Sequence, residues 1–143
     1  MKSRNQFHIP LDIPNVEIKS VQVNEYGYYV ITVESTRESA ICQHCGNQIT
    51  KANGHGREIE LRHLPILGHH VYIRLRPKRF ECPDCGGKTT TQKLDWYEFK
   101  SPHTKAYDQH LMLQLINSTV TDVSRKEDVG YGAVVRTIRR CVH

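Results

Sequence analysis

Cys42-Gln43-His44-Cys45-Gly46 and Cys82-Pro83-Asp84-Cys85-Gly86 decide the fold of this chain. Each is a C-x-x-C-G stretch. Between Cys45 and Cys82 lie 36 residues without a cysteine, and Cys141 is the one cysteine left over. A C-x-x-C turn sets two sulfurs on one side of a tight loop. The glycine after it takes positive φ at little cost, so the loop folds back under a metal ion. Two such loops supply four thiolates for a closed tetrahedral site. Cys42, Cys45, Cys82 and Cys85 are therefore expected to hold one structural Zn2+. Four sulfur ligands leave no coordination position open for catalysis. Two disulfides or four free thiols compete with this reading; the lack of a signal-peptide pattern weighs against an oxidising compartment.

The interval between the pairs is long for a small zinc ribbon, but a β-hairpin can fill it. Metal binding then joins two distant points of the chain and contributes directly to folding. A staple is needed here. Of 143 residues only 38% are hydrophobic, and the mean hydropathy is −0.57. That is a thin core for one domain or two small ones. No apolar run approaches the roughly 20 residues of a membrane helix, so the expected setting is a reducing cytoplasm, without a membrane partner.

The net charge of +5 is unevenly spread. Residues 1–40 sum to −1, residues 41–100 to +4 and residues 101–143 to +2. A basic stretch that starts at the first cysteine pair suits a polyanion such as nucleic acid; ordinary solubility charge is the plain alternative.

Outward from the cysteines, residues 1–14, with Pro10 and Pro14, read as irregular. Val16 to Glu34 reads as a hairpin with an irregularity near Ser20 and a turn at Glu25-Tyr26-Gly27; β-formers on both faces suggest cover on both sides. Residues 47–56 read as a polar loop. Arg57 to His63 reads as a strand, Leu64 to Gly68 as a turn, and His70 to Phe80 as one further strand. Its Arg74, Arg76, Lys78 and the neighbouring Arg79 make a basic row that can lie on phosphates, or pair with Glu58 and Glu60 across the sheet. Thr89, Thr90 and Thr91 suggest a closing strand, and Trp96, Tyr97 and Phe99 a hydrophobic plug.

Ser101-Pro102 looks like a helix start. Residues 103–117 follow with helical spacing, Ala106, His110, Leu111, Leu113, Leu115 and Ile116 near one stripe. Thr119 or Thr121 caps a second helix to about Asp128. A third runs from Tyr131 to the end, with Val134, Ile138 and Cys141 inward and Arg136, Arg139 and Arg140 outward. Helix, tight turn and basic helix outline a helix-turn-helix in which Val123, Val129 and Val134 pack together. Asp128 stands where glycine is usual, but Asp tolerates the left-handed conformation. No nucleophile–base pair or carboxylate constellation stands out, so no catalytic residue is expected. The fold class is α+β: a β-rich zinc ribbon over residues 1–100, then a small three-helix helix-turn-helix unit over 101–143.

Cys42-x-x-Cys45-Gly46, Gly54-His55-Gly56-Arg57, Arg62-His63-Leu64-Pro65 and Arg74-x-Arg76-x-x-Arg79-Phe80-x-Cys82-Pro83-x-Cys85 together resemble the N-terminal zinc finger of ISL-three-type insertion-sequence transposases. The segment from Ser118 to Arg140 resembles the helix-turn-helix that follows it there. The resemblance implies recognition of an element's terminal inverted repeats in double-stranded DNA, in the bacterial, nucleoid-associated cytoplasm, with a DNA-bound homodimer left open. In that family a DDE domain that cuts and joins DNA comes next. The sequence stops at His143, ahead of it, so the chain is expected to bind without cutting and could occupy transposon ends as a regulator. Tyr131, Val135 and Arg136 are the expected base readers; Arg139, Arg140, Arg74, Arg76, Lys78 and Arg79 are the other expected contacts. Two alternatives stay open: a zinc-ribbon protein-interaction module, and a rubredoxin-like iron carrier, which the two cysteine pairs also resemble.

Overall fold

A computed structural model describes residues 11–142. Pro10 and most of the irregular stretch expected at 1–14 lie outside them. Among the described residues the order is β1 (Val16–Val23), β2 (Tyr29–Ser35), β3 (Ala40–Ile41), β4 (Gln48–Ile49), β5 (Lys51–His55), β6 (Ile59–Ile66), β7 (His69–Leu75), β8 (Lys78–Cys82), β9 (Lys88–Thr91), α1 (Lys105–Gln114), α2 (Val120–Glu127) and α3 (Tyr131–Cys141). The fold is α+β, strands first and helices after.

Two hairpins make the main sheet. In β1–β2 the register slips between Ile18 and Ser20, where the alternation of the sequence breaks. In β6–β7 the turn is Leu67-Gly68, both at positive φ (51° and 80°); that pair of conformations matches the twist of the flanking strands. The hairpins join through a parallel pairing of β2 with β7, giving the order β1-β2-β7-β6. One face carries the core. Ile31 lies beside Ile73 and Val33 beside Leu75, with Leu61 next to Ile73, and Leu11, Leu94 and Trp96 close over them. Burying each such aliphatic side chain contributes about 1.5–3 kcal/mol. On the other face Val30 is also buried, so β2 is covered on both sides as expected, whereas Val21 and Val23 leave β1 an exposed edge.

Three readings of the strand region need correction. Residues 47–56 are not a loop but contain β4 and β5. The sequence of β5 is polar because it is an exposed edge, and it is fixed by its ladder with β8, Ala52 beside Phe80. The single strand expected from His70 to Phe80 is two. It breaks at Arg76-Pro77, where proline has no N–H to continue a ladder. β7 then stays in the main sheet, while β8 enters a second one ordered β5-β8-β9. The turn expected from Leu64 is shorter, because β6 continues through Pro65 to Ile66. As the edge of its sheet, β6 tolerates a proline.

The helix expected to start at Ser101-Pro102 starts three residues later. Thr104 is the cap, its hydroxyl accepting the N–H of Tyr107 at 3.1 Å, while Ser101 is used in a turn with His103. In α1 the buried residues are Tyr107, Asp108 and Leu111; Leu113 and Ile116 are exposed, contrary to the expected stripe. Tyr107, Leu111, Val123 and Val134 form the helical core with Val129 against it. Thr119 caps α2, and Asp128 ends it in the left-handed conformation (φ 54°, ψ 52°). Cys141 is exposed rather than inward, and Thr137 takes the buried position. Trp96 and Tyr97 pack as a plug, ring centroids 4.7 Å apart, but Phe99 stands in solvent. The helices are tied to the edge of β6: the N–H of Arg62 bonds the Pro102 carbonyl at 2.9 Å, and the N–H of Thr104 bonds the Arg62 carbonyl at 3.0 Å.

Candidate metal centre and nucleic-acid interface

The cysteine loops fold as their sequences dictate. The first bridges β3 and β4; the second follows β8 as a single turn, Pro83–Cys85. Gly46 and Gly86 take φ of 79° and 70°, the positive values that bring each loop back under its sulfurs. The four Sγ atoms lie within 4.8 Å of one another. Cys42 Sγ is 3.8 Å from Cys85 Sγ, and Cys45 Sγ is 3.7 Å from Cys82 Sγ. A tetrahedron with Zn–S bonds of about 2.3 Å has edges of about 3.8 Å, so the spacing fits zinc. It is far too long for S–S bonds of about 2 Å.

The chemistry of the donors agrees. The backbone N–H of His44 leads in holding the Cys42 thiol down to about 6, and burial leads in pushing Cys85 up to about 12, with its neighbouring thiols adding to the rise. Four thiolates cannot share this space without a cation, and a divalent ion offsets their charge. Ala40, Ile49 and Phe80 pack around Cys42 and Cys82, so the site is closed on one side by apolar side chains. It holds one structural zinc.

The second site is the pair α2–α3. Asp128 turns the chain, Gly130 starts α3 without a side-chain cap, and Val134 fixes the inner face. Tyr131, Arg136 and Arg139 are exposed along α3, and Val135 is half-buried. Arg140 is not outward as expected. Its Nη2 donates to Asp108 Oδ1 at 2.8 Å and its Nε to Asp108 Oδ2 at 3.1 Å, and His103 Nδ1 donates to the same carboxylate at 2.9 Å. Burial acts to raise Asp108, but these donors win and hold its carboxyl below the usual range.

The basic row is divided by the break at Pro77. Arg74, on β7, pairs with Glu60 at 2.8 Å, while Glu58 lies before the strand begins. Lys78, on β8, pairs with Glu38 at 2.8 Å, and Arg79 donates to the Thr89 hydroxyl. Arg76 is exposed between the two sheets. These four therefore do not form one stripe.

Arg62 emerges as the residue that positions the helix-turn-helix. It alternates with Glu58 and Glu60 along the sequence, the spacing of one strand face, yet it is 6% exposed. Its Nη2 donates to the Glu127 carbonyl at 2.6 Å and to His70 Nδ1 at 2.8 Å; its Nη1 donates to the Asp128 carbonyl at 3.2 Å. The guanidinium also lies 4.8 Å from the Tyr107 ring centre. A cation thus meets the negative end of α2, where the last carbonyls lack helical partners. Tyr28 adds a hydroxyl bond to Asp128 Oδ2 at 3.3 Å. His63, also missed, bridges a second junction. Its Nε2 donates to the Leu11 carbonyl at 2.7 Å, and its Nδ1 accepts from the Thr104 hydroxyl at 2.8 Å. The local signal for both was the polar pair Arg62-His63 set between Leu61 and Leu64.

Two family models match the chain. Residues 38–85 match the zinc-finger of transposase IS204/IS1001/IS1096/IS1165, and residues 92–142 match the helix-turn-helix domain of transposase family ISL3. No curated protein and no solved structure matches it.

Proposed function

The chain carries the zinc ribbon and helix-turn-helix region of an ISL3-type transposase, and on that premise we propose that it recognises the terminal inverted repeats of its element. The observation that carries this reading is α3. It stands at the protein surface with Tyr131, Arg136 and Arg139 exposed, while Arg62 holds the turn before it against a zinc-stapled sheet. A rigidly held helix with outward cations is what major-groove reading requires.

The division of labour runs near residue 100, with residues 1–100 as the zinc-stapled β unit and 101–143 as the reading unit. Tyr131, Val135 and Arg136 face the bases, and Arg139 and Arg76 meet phosphates. Arg74, Lys78 and Arg79 exchange their present partners for phosphates. Arg140 is given a structural role, since Asp108 occupies its guanidinium. The role we assign to the two matched segments, a zinc finger and a helix-turn-helix domain, is DNA binding. The setting is the bacterial nucleoid, with two copies meeting on DNA.

The test is a gel shift with duplexes carrying the element's ends and with scrambled duplexes. Preference for the ends is expected, lost in the doubly substituted Arg136→Gln, Arg139→Gln protein. About four phosphate contacts from this surface alone predict a log–log salt slope of about −4 or steeper. Equal affinity for ends and scrambled DNA rejects end recognition; a flat salt response rejects DNA binding altogether.

A further inference from the structure

A groove lies between the zinc-bearing strands and the main sheet, apart from the exposed face of α3. It has a volume of about 870 Å3 and is walled by residues 56–60, by β8 and β9, and by the chain from Gln92 to Ser101. Arg57, Arg79, Lys93 and Lys100 line it, against the carboxylates of Glu60 and Glu98. Glu60 is already engaged by Arg74. Among the described residues none of the four cations is in an ion pair: Arg79 bonds a hydroxyl, and the Lys100 ammonium sits 5.4 Å from the centre of the Phe99 ring. Like charges lining a cleft repel one another and focus a positive field within it.

The lip of the groove is costly in two further ways. The N–H of Ser101 bonds the Glu98 carbonyl at 3.0 Å, which puts Phe99 and Lys100 at the tip of a β-turn. Lys100 has φ of 65°, a left-handed conformation that costs a non-glycine residue about 1 kcal/mol. Phe99 is 78% exposed. Glycine suits the turn better than lysine, and a polar residue suits the solvent better than phenylalanine. Uncompensated charge, a strained lysine and a bare phenyl ring thus meet in one place. Glu98 also lines a separate hollow at the C-terminal end of α3, beside Arg140 and Cys141.

We propose that this groove is a second DNA contact, holding the sugar–phosphate backbone of one strand. Phe99 lies against deoxyribose and base edges in the adjoining minor groove, and the four cations face phosphate oxygens. A cavity of this volume admits one backbone and not a double helix. Apolar side chains at a lip of cations suit that edge of DNA. The inference rests on the DNA-binding reading above and adds to α3 a grip on flanking sequence.

Fluorescence anisotropy with a labelled random-sequence duplex, titrated across salt, separates the two. Arg57→Gln with Lys93→Gln is expected to flatten the log–log slope by about 1.8, and Lys100→Gly by about 0.9. Lys100→Gly relieves the turn, so its melting temperature holds or rises while binding weakens. Phe99→Ala is expected to weaken binding about fivefold or more at every salt concentration with the slope unchanged, because an apolar contact releases no counterions. If these variants keep wild-type affinity and slope while Arg136→Gln with Arg139→Gln loses both, the groove assignment is overturned and the function of α3 stands. If the unaltered protein does not bind the duplex at low salt, both fall.

Discussion

Replacing Arg62 by methionine should uncouple the helices from the sheet. The substitution keeps an unbranched side chain of similar reach and removes the charge. It deletes two charge-assisted hydrogen bonds, to the carbonyls of Glu127 and Asp128, and a third to His70. Bonds of this type contribute about 1.5–3 kcal/mol each. Stacking on Tyr107 adds about 1 kcal/mol. Against this, methionine avoids the several kcal/mol needed to bury a guanidinium, whose Nε has no partner here. The net expectation is a loss of about 2–3 kcal/mol. With a urea dependence of about 2 kcal/mol per molar, the midpoint falls by about 1–1.5 M. The fluorescence of Trp96, the only tryptophan, reports the core under the sheet; circular dichroism reports the helices. In the unaltered protein the two transitions should coincide. In Arg62→Met the helical signal should be lost first, and α3 should bind DNA more weakly at unchanged salt slope. Coincident transitions at the original midpoint would show that Arg62 is a passenger and that packing alone carries the junction.

Elemental analysis should find one zinc per chain, the protein should be colourless, and chelation or Cys82→Ser should abolish ribbon structure; visible absorbance would indicate iron instead. Burial holds His63 and His70 below their ordinary value. The unfolded chain therefore takes up protons more readily, and the stability from keeping both neutral is complete above about pH 6.5 and lost as pH falls below it. Protonated His63 would present a second N–H to Thr104, so His63→Gln should shrink that acid-side loss while lowering stability at neutral pH; an unchanged acid limb excludes this histidine. Leu111, fully buried in the helical core, should cost about 2–5 kcal/mol as Leu111→Ala, measured by thermal denaturation; a loss under 1 kcal/mol would mean that the helical core closes without it.

What could be read in advance was local. C-x-x-C-G encodes its own turn, and Gly46 and Gly86 adopt it whatever lies around them. Val123 and Val134 follow helical spacing, and Thr119 needs only the amide of Asp122 three residues on. What could not be read depends on partners far along the chain. Arg140 looks like a surface cation until Asp108 arrives from another helix. Arg62 alternates with glutamates as if exposed, and only the end of α2 explains its burial. β5 has no strand pattern, because an exposed edge needs only the ladder of β8. Pro77 was the missed local clue, for a residue without an N–H rarely sits inside a strand.

The parallel pairing of β2 with β7 has a consequence for the order of assembly. Each hairpin closes over a short turn, but laying one beside the other must bring Tyr29–Val33 against Val71–Leu75, a search over the long loop between Ser35 and His69. Cys42 and Cys45 lie inside that loop, and Cys82 and Cys85 lie just beyond β7. An ion caught early would tether the searching hairpins, so refolding should accelerate with zinc concentration and then level off. The metal would act as a matchmaker during synthesis as well as a rivet afterwards.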